Sequence, residues 1–294
     1  MKHIKLYPLG TIVCGALLLA ASLQCEKMAV SEGDESPNVV LHIGSYEQTP
    51  FPARTRATAQ EVCTRLNFIV YDEENTRIRQ EEQMLGDKNF GTAQFALGDG
   101  NYYVVVIAHS SDGNPTSTDP YKIGFTNANG YTDTFVATDS LTVDGTEVEK
   151  TLNMERIVAK VRFVVEDDVP VGADGVSFSY TGGSGKFNAF DNCWGSVQSQ
   201  QQKEYFVEGN EHEFEIYTIP RRDSDHLWLR VNAFKGESFK KGENLSDKVI
   251  DNIPIKRNYI TTCMGYLYSP VYKLTYTMSI NKDWAGNDTI QISK

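Results

Sequence analysis

The stretch Thr181-Gly182-Gly183-Ser184-Gly185-Lys186 is where chemistry would first be sought, because glycines ahead of a lysine can cradle phosphates. Tyr180 stands where the first glycine of such a loop belongs, and Phe187 replaces the magnesium-binding Ser or Thr. The run also fails as a nucleophile elbow, since Lys186 takes the place of the last glycine. It reads as a hairpin turn between strands. His42, His109, His212 and His226 lie far apart, and none sits on a helix with metal-ligand spacing. Asp223, Asp225 and His226 are explained by an exposed polar turn after Pro220, and Glu211, His212 and Glu213 by a strand edge. Glu73-Glu74 and Glu81-Glu82 are adjacent, so on a strand each pair points apart and cannot share an acid/base task. No catalytic residue, metal ligand or cofactor is assigned. Enzymatic chemistry would require scattered residues to converge in space.

Five cysteines occur, at positions 14, 25, 63, 193 and 263. Lys2 and Lys5 precede the apolar stretch 9–23, which is short for a bilayer span and fits the h-region of a secretory signal. The protein is therefore expected to be exported, with residues 1–24 as the leader. Cys25 falls where that leader ends, and its thiol could carry a diacylglycerol thioether followed by acylation of the new amino terminus. Ser22-Leu23-Gln24 lacks the small residue usual just before such a cysteine, and cleavage near Ala20-Ala21-Ser22 is the alternative. Lipidation is the preferred reading. Cys63, Cys193 and Cys263 are odd in number and widely spaced, which suits small buried hydrophobes better than a disulfide framework.

The formal charge is −11. The leader carries two of the lysines and no acid, so the remainder is more acidic still. Lys and Arg are scattered among acids, whereas a phosphate-binding surface needs them clustered, so nucleic acid is not an expected partner. An apolar fraction of 40% with 11% aromatics is enough to build cores and argues against disorder.

Residues 25–37 are polar, small and aperiodic, as in a tether. Segments 39–46, 66–71, 102–108, 135 and 141–143 are alternating, β-branched or aromatic, and Asp99-Gly100-Asn101, Asp112-Gly113-Asn114 and Asn129-Gly130 separate them as turns. A short helix is allowed over 59–64. In 158–165, Ala159, Val161, Phe163 and Val165 share one face, with Lys160 and Arg162 on the other. Phe214 and Ile216, then Leu227, Leu229, Val231 and Ala233, repeat the pattern, and 258–268 and 272–280 complete the strands. The expected fold is all-β, with antiparallel β-sandwich domains at 38–150 and 151–294.

Several stretches in order resemble the FimB-type fimbrial subunits of the fimbrillin superfamily. They are Thr55-Arg56-Ala57 leading into Cys63-Thr64-Arg65-Leu66-Asn67-Phe68-Ile69-Val70-Tyr71, and the run from Asp99-Gly100-Asn101 to His109-Ser110. Further matches are Thr132-Asp133-Thr134-Phe135, Tyr180-Thr181-Gly182-Gly183-Ser184, and Ile253-Pro254-Ile255-Lys256-Arg257-Asn258-Tyr259-Ile260-Thr261-Thr262. The resemblance implies two tandem transthyretin-like, Greek-key sandwiches, a lipoprotein of the outer membrane, and a part in anchoring, building or tipping an adhesive fimbrium, with other fimbrial subunits as partners and neither catalysis nor a cofactor. A surface lipoprotein that binds host or glycan ligands is the alternative.

Two segments bear on assembly. Arg56-Ala57 lies in a Pro-containing loop after the first strand. In polymerising fimbrillins cleavage after such an arginine frees that strand and opens a groove for the next subunit, whereas anchors keep it; an ordinary basic loop residue is the other reading. At the carboxy terminus Tyr272, Leu274, Tyr276, Met278 and Ile280 alternate with Lys273, Thr275, Thr277 and Ser279. That strand can close its own sheet or be donated to another subunit's edge.

Overall fold

The computed structural model describes residues 36–46, 62–209, 211–270, 274–279 and 290–292. Its strands are β1 (Val39–Tyr46), β2 (Arg65–Tyr71), β3 (Arg77–Met84), β4 (Thr92–Phe95), β5 (Gly100–His109), β6 (Ile123–Gly124), β7 (Phe135–Val143), β8 (Val148–Arg156), β9 (Ala159–Val165) and β10 (Gly175–Thr181). There follow β11 (Lys186–Asn188), β12 (Trp194–Gly195), β13 (Gln201–Phe206), β14 (Glu213–Thr218), β15 (His226–Lys235), β16 (Glu243–Pro254), β17 (Ile260–Gly265), β18 (Leu274–Ser279) and β19 (Ile290–Ile292). Four sheets result, ordered β3-β2-β5-β7-β8-β1-β4, β13-β10-β15-β16, β12-β11-β6 and β14-β9-β17-β18-β19.

Ser36–Lys294 is one contiguous body, yet its apolar residues fall into three cores. The first is drawn from β1, β2, β4, β5, β7 and β8. The seven-stranded sheet can enclose it because β7 and β8 pair as strands only at Phe135↔Arg156 and Val136↔Glu155, which makes a corner. The second lies between the four- and five-stranded sheets, with Val161, Phe163 and Phe214 from one facing Phe178, Leu229 and Val231 from the other. This is sandwich packing.

The third core explains why β2 from Leu66 onward and β5 from Val104 onward are buried without interruption. Leu66, Phe68 and Val70 face the first core while Ile69 and Tyr71 face the third; Val104 and Val106 oppose Val105 and Ile107 in the same way. A strand covered on both faces reads as a continuous apolar run. The covering layer includes Ile123 on β6 and Phe125 just after it, Phe187 on β11, and Ile219 and Ile260 from the second half of the chain.

Several expectations need correction. The sheets are mixed: β1 pairs parallel with β8, and β9 pairs parallel with β17. Each half thus joins its first strand to a late one, and parallel neighbours need the long crossover that this separation supplies. The 150/151 boundary falls inside β8, which feeds Leu152 and Met154 into the first core; the changeover comes at Ile157 and Val158. The stretch 181–186 is not a hairpin, because β10 pairs with β13 and β15 while β11 pairs with β6 and β12. It carries the chain from one sheet to another, and its glycines make room: a Cβ on Gly182 would lie 2.2 Å from the His226 carbonyl oxygen, and one on Gly183 1.9 Å from Thr218 Oγ1. The strand expected over 258–268 is confined to β17. The helix allowed over 59–64 lies mostly outside the described residues; Val62 is helical.

Candidate functional site

β1 occupies a slot between two strands of its own chain. Val39↔Phe95 to His42↔Thr92 pair antiparallel with β4, while Val39↔Val148 to Ile43↔Leu152 pair parallel with β8. Apolar residues at alternate positions decide which face turns inward, and Val39, Leu41 and Tyr46 are buried in the first core. Full burial of an aliphatic side chain of this size contributes roughly 1.5–3 kcal/mol, so the inner face alone ties the strand firmly.

Polar contacts fix its register. Asn38 donates from Nδ2 to the Leu97 carbonyl at 2.7 Å and accepts the Leu97 N–H at Oδ1 at 2.9 Å, while its carbonyl accepts the Val148 N–H at 2.8 Å. His42 bridges outward, with Nδ1 3.1 Å from Thr92 Oγ1 and Nε2 3.1 Å from Glu149 Oε1. Beyond Ile43 the register with β8 shifts, and Gly44 sits against it so closely that a Cβ would lie 2.5 Å from Thr151 Cγ2. Tyr46 ends the strand, edge-on to Phe135 at 5.2 Å, with its hydroxyl 3.7 Å from Cys63 Sγ. Burial pushes both the Tyr46 phenol and the Cys63 thiol up, so neither ionises at neutral pH.

Such an arrangement does no bond chemistry. It is a strand-sized groove, presenting main-chain hydrogen bonds on two sides and an apolar floor, with the chain's own first strand in it. Among the described residues no group of three or more His, Cys, Asp or Glu could hold a metal ion, and no helix is long and apolar enough to cross a membrane.

Of the residues singled out from the sequence, Cys25, Arg56, Ala57, Tyr272 and Ile280 lie outside the described residues. Leu274, Tyr276 and Met278 lie on β18, opposite Gly265, Cys263 and Thr261 of β17. Cys63, Cys193 and Cys263 are buried, and none of the three forms a disulfide. Asn38 and Gly44 escaped attention in the sequence, although a glycine inside an alternating run is a recognisable sign of close backbone approach. Asp167 was missed too. Its carboxylate accepts the N–H groups of Leu267, Tyr268 and Ser269 at 2.8, 2.8 and 2.6 Å, pinning the chain just ahead of β18.

Several solved structures are similar to this chain. A proposed polysaccharide-binding protein of Bacteroides thetaiotaomicron aligns with a TM-score of 0.52 at 12% identity, covering 88% of this chain and 99% of its own. The fimbrial anchor protein Mfa2 of Porphyromonas gingivalis aligns with a TM-score of 0.45 at 12% identity, covering 85% and 99%. At these identities the first likeness speaks to fold alone. No curated protein matches the sequence significantly. Residues 34–285 match the family profile of the fimbrillin-A associated anchor proteins Mfa1 and Mfa2, so the chain belongs to that family of fimbrium-associated proteins.

Proposed function

We propose that this chain is a lipid-anchored outer-membrane component of a fimbrium that keeps its first strand and roots or ends the filament. The observation that carries the reading is the position of β1, paired on both sides and buried in the first core. A groove filled by its own covalently attached strand cannot accept a donated one, so such a subunit joins a filament through a different edge. The motif order favours the FimB-type subgroup, and the separate first and second cores favour two tandem transthyretin-like sandwiches with the changeover near 157.

In this reading Cys25 supplies the lipid attachment, residues 26–37 are the tether, Arg56-Ala57 stays uncleaved, and other fimbrial subunits are met by strand addition. Amino-terminal sequencing of the protein from its native cell tests the role. A start at Cys25 is expected, and a start at Ala57 would make the chain a polymerising subunit. Labelling with an alkyne fatty acid tests the anchor separately, because Cys25→Ala should lose the label and release the protein.

A further inference from the structure

Away from β1, the turns after β14 and β16 close with β12 around a cavity of about 540 Å³ lined by Asn192, Trp194, Pro220, Arg221, Arg222, Ser224, Asp225, Ile255, Lys256 and Arg257. Four basic side chains line this single cavity in a protein whose net charge is −11. The Arg257 guanidinium lies 4.6 Å from the Trp194 ring centre and that of Arg222 lies 5.4 Å from it. A guanidinium stacks on an aromatic ring through both cation–π attraction and planar contact. Lys256 Nζ is held 2.9 Å from the Tyr259 hydroxyl and 4.1 Å from its ring centre, and it has no carboxylate partner among the described residues. Trp194 itself is delivered by two successive residues in the left-handed region, Asn192 (φ 47°) and Cys193 (φ 53°), with the Asn192 carbonyl accepting from Arg257 Nη2 at 2.9 Å. Left-handed backbone at a cysteine is unfavourable unless its surroundings hold it.

Acidic neighbours limit what can bind. Asp191 is engaged by Arg222, Asp223 by Arg221, and Asp225 by His226 Nδ1 at 2.5 Å. Asp225 and Ser224 therefore line the cavity as acceptors beside the cations. A bare inorganic anion gains nothing from acceptors and fills little of the space. A sugar has hydroxyls for Asp225, Ser224 and Asn192, an apolar ring face for Trp194, Pro220 and Ile255, and, where it is an acid, a carboxylate for Lys256. A peptide docked by main-chain pairing would need a strand edge, and the only strand on this rim is the two-residue β12.

We propose that this cavity binds a carboxylate-bearing sugar, a hexuronate unit of a glycan chain, with Lys256 receiving the carboxylate. The site does not depend on the chain being an anchor. Its test is calorimetric titration of the full chain with tetragalacturonic acid and with the methyl-esterified, uncharged tetramer.

The acid should bind with a dissociation constant below about 1 mM. The ester, and the exposed-site variant Lys256→Gln, should each bind about tenfold more weakly, with the thermal midpoint of the variant unchanged. Trp194→Leu should weaken binding as well. The idea fails if acid and ester bind equally, if Lys256→Gln binds as the parent does, or if no uronate binding is seen up to about 10 mM. Acetate or phosphate displacing the tetramer at equal concentration would reduce the site to a simple anion pocket. Selective binding of a peptide with a free terminal carboxylate, in place of the sugar, would reassign it to a protein partner.

Discussion

Arg156 and Asn258 stand 102 positions apart in sequence and are joined by a buried hydrogen bond of 2.7 Å from Nη1 to Oδ1. The same guanidinium donates through Nε and Nη2 to Asp133 at 2.7 and 2.9 Å and lies 4.5 Å from the Phe135 ring centre. Asn258 has φ 64° and gives its N–H to the Val158 carbonyl at 2.8 Å. One side chain therefore ties the end of β8 to the corner of the seven-stranded sheet and to the turn that enters β17.

Replacing Arg156 with Met should destabilise the protein by about 3 kcal/mol in urea unfolding, because it leaves the half-buried Asp133 and the buried Asn258 without their donor. Asp133 keeps 27% of its side chain exposed, which holds the effect to the lower end of the range for buried pairs. Adding Asp133→Asn to the Met variant should cost little more. A loss below about 0.5 kcal/mol would mean that water replaces the arginine freely.

The two halves share the small sheet β12-β11-β6, in which Gly124 pairs with Lys186. A Cβ on Gly124 would lie 2.1 Å from the Gly185 carbonyl oxygen and 2.6 Å from Lys186 Cα, both backbone atoms that cannot turn aside. Gly124→Ala is expected to cost about 1–3 kcal/mol, with faster hydrogen exchange at residues 186–188. Unaltered exchange there would show that the β6–β11 contact does not couple the halves.

His109 makes stability depend on pH. It is buried, its Nδ1 accepts the Ser111 N–H at 3.1 Å, and its Nε2 therefore carries the proton shared with Asn67 Oδ1 at 2.9 Å. Burial, helped by the charge of Arg65, lowers its pKa from 6.5 to about 4. The unfolded chain takes up a proton as pH falls through 6.5 while the folded one does not until about 4, so the stability is complete above 6.5 and drains away between those values. Over the whole window the loss is about 3 kcal/mol. Urea unfolding between pH 7.5 and 5 should show the slope and His109→Gln should flatten it, since Asp191, Glu215 and Asp247 have lowered pKa values and titrate below that range.

Alternation found β1, β9, β14 and β15, because each has one face in a core and one outside. It found β2 and β5 only as apolar runs, since burial on both faces erases the period. β3 was not among the expected strands, because Arg77, Arg79, Glu81 and Glu82 leave it no apolar face; it is the outer strand of its sheet, where charge on an edge discourages pairing with other chains. The parallel pairings were illegible because nothing local distinguishes a parallel neighbour. The same holds for the cavity around Trp194, whose residues lie at 192–194, 220–225 and 255–257 and meet only through the fold.

β9 and β17 already form the same parallel pairing as β1 and β8, and the Asp167 carboxylate fixes residues 267–269 before β18 begins. β18 is thus appended to a sheet whose first and late strands are already joined, and in the isolated chain it lies along β17 from Ile260↔Ser279 to Gly265↔Leu274. If it is the strand given to a neighbouring subunit, a chain ending at Pro270 should remain a soluble monomer with cooperative unfolding and be lost from purified fimbriae. Asp167→Ala in the full chain should leave fimbrial incorporation intact while speeding hydrogen exchange at 274–279, since it loosens the hinge and keeps the strand. Collapse of the truncated chain into aggregates would show that β18 is needed to cover β17 of its own sheet, and the donor role would then have to be given up.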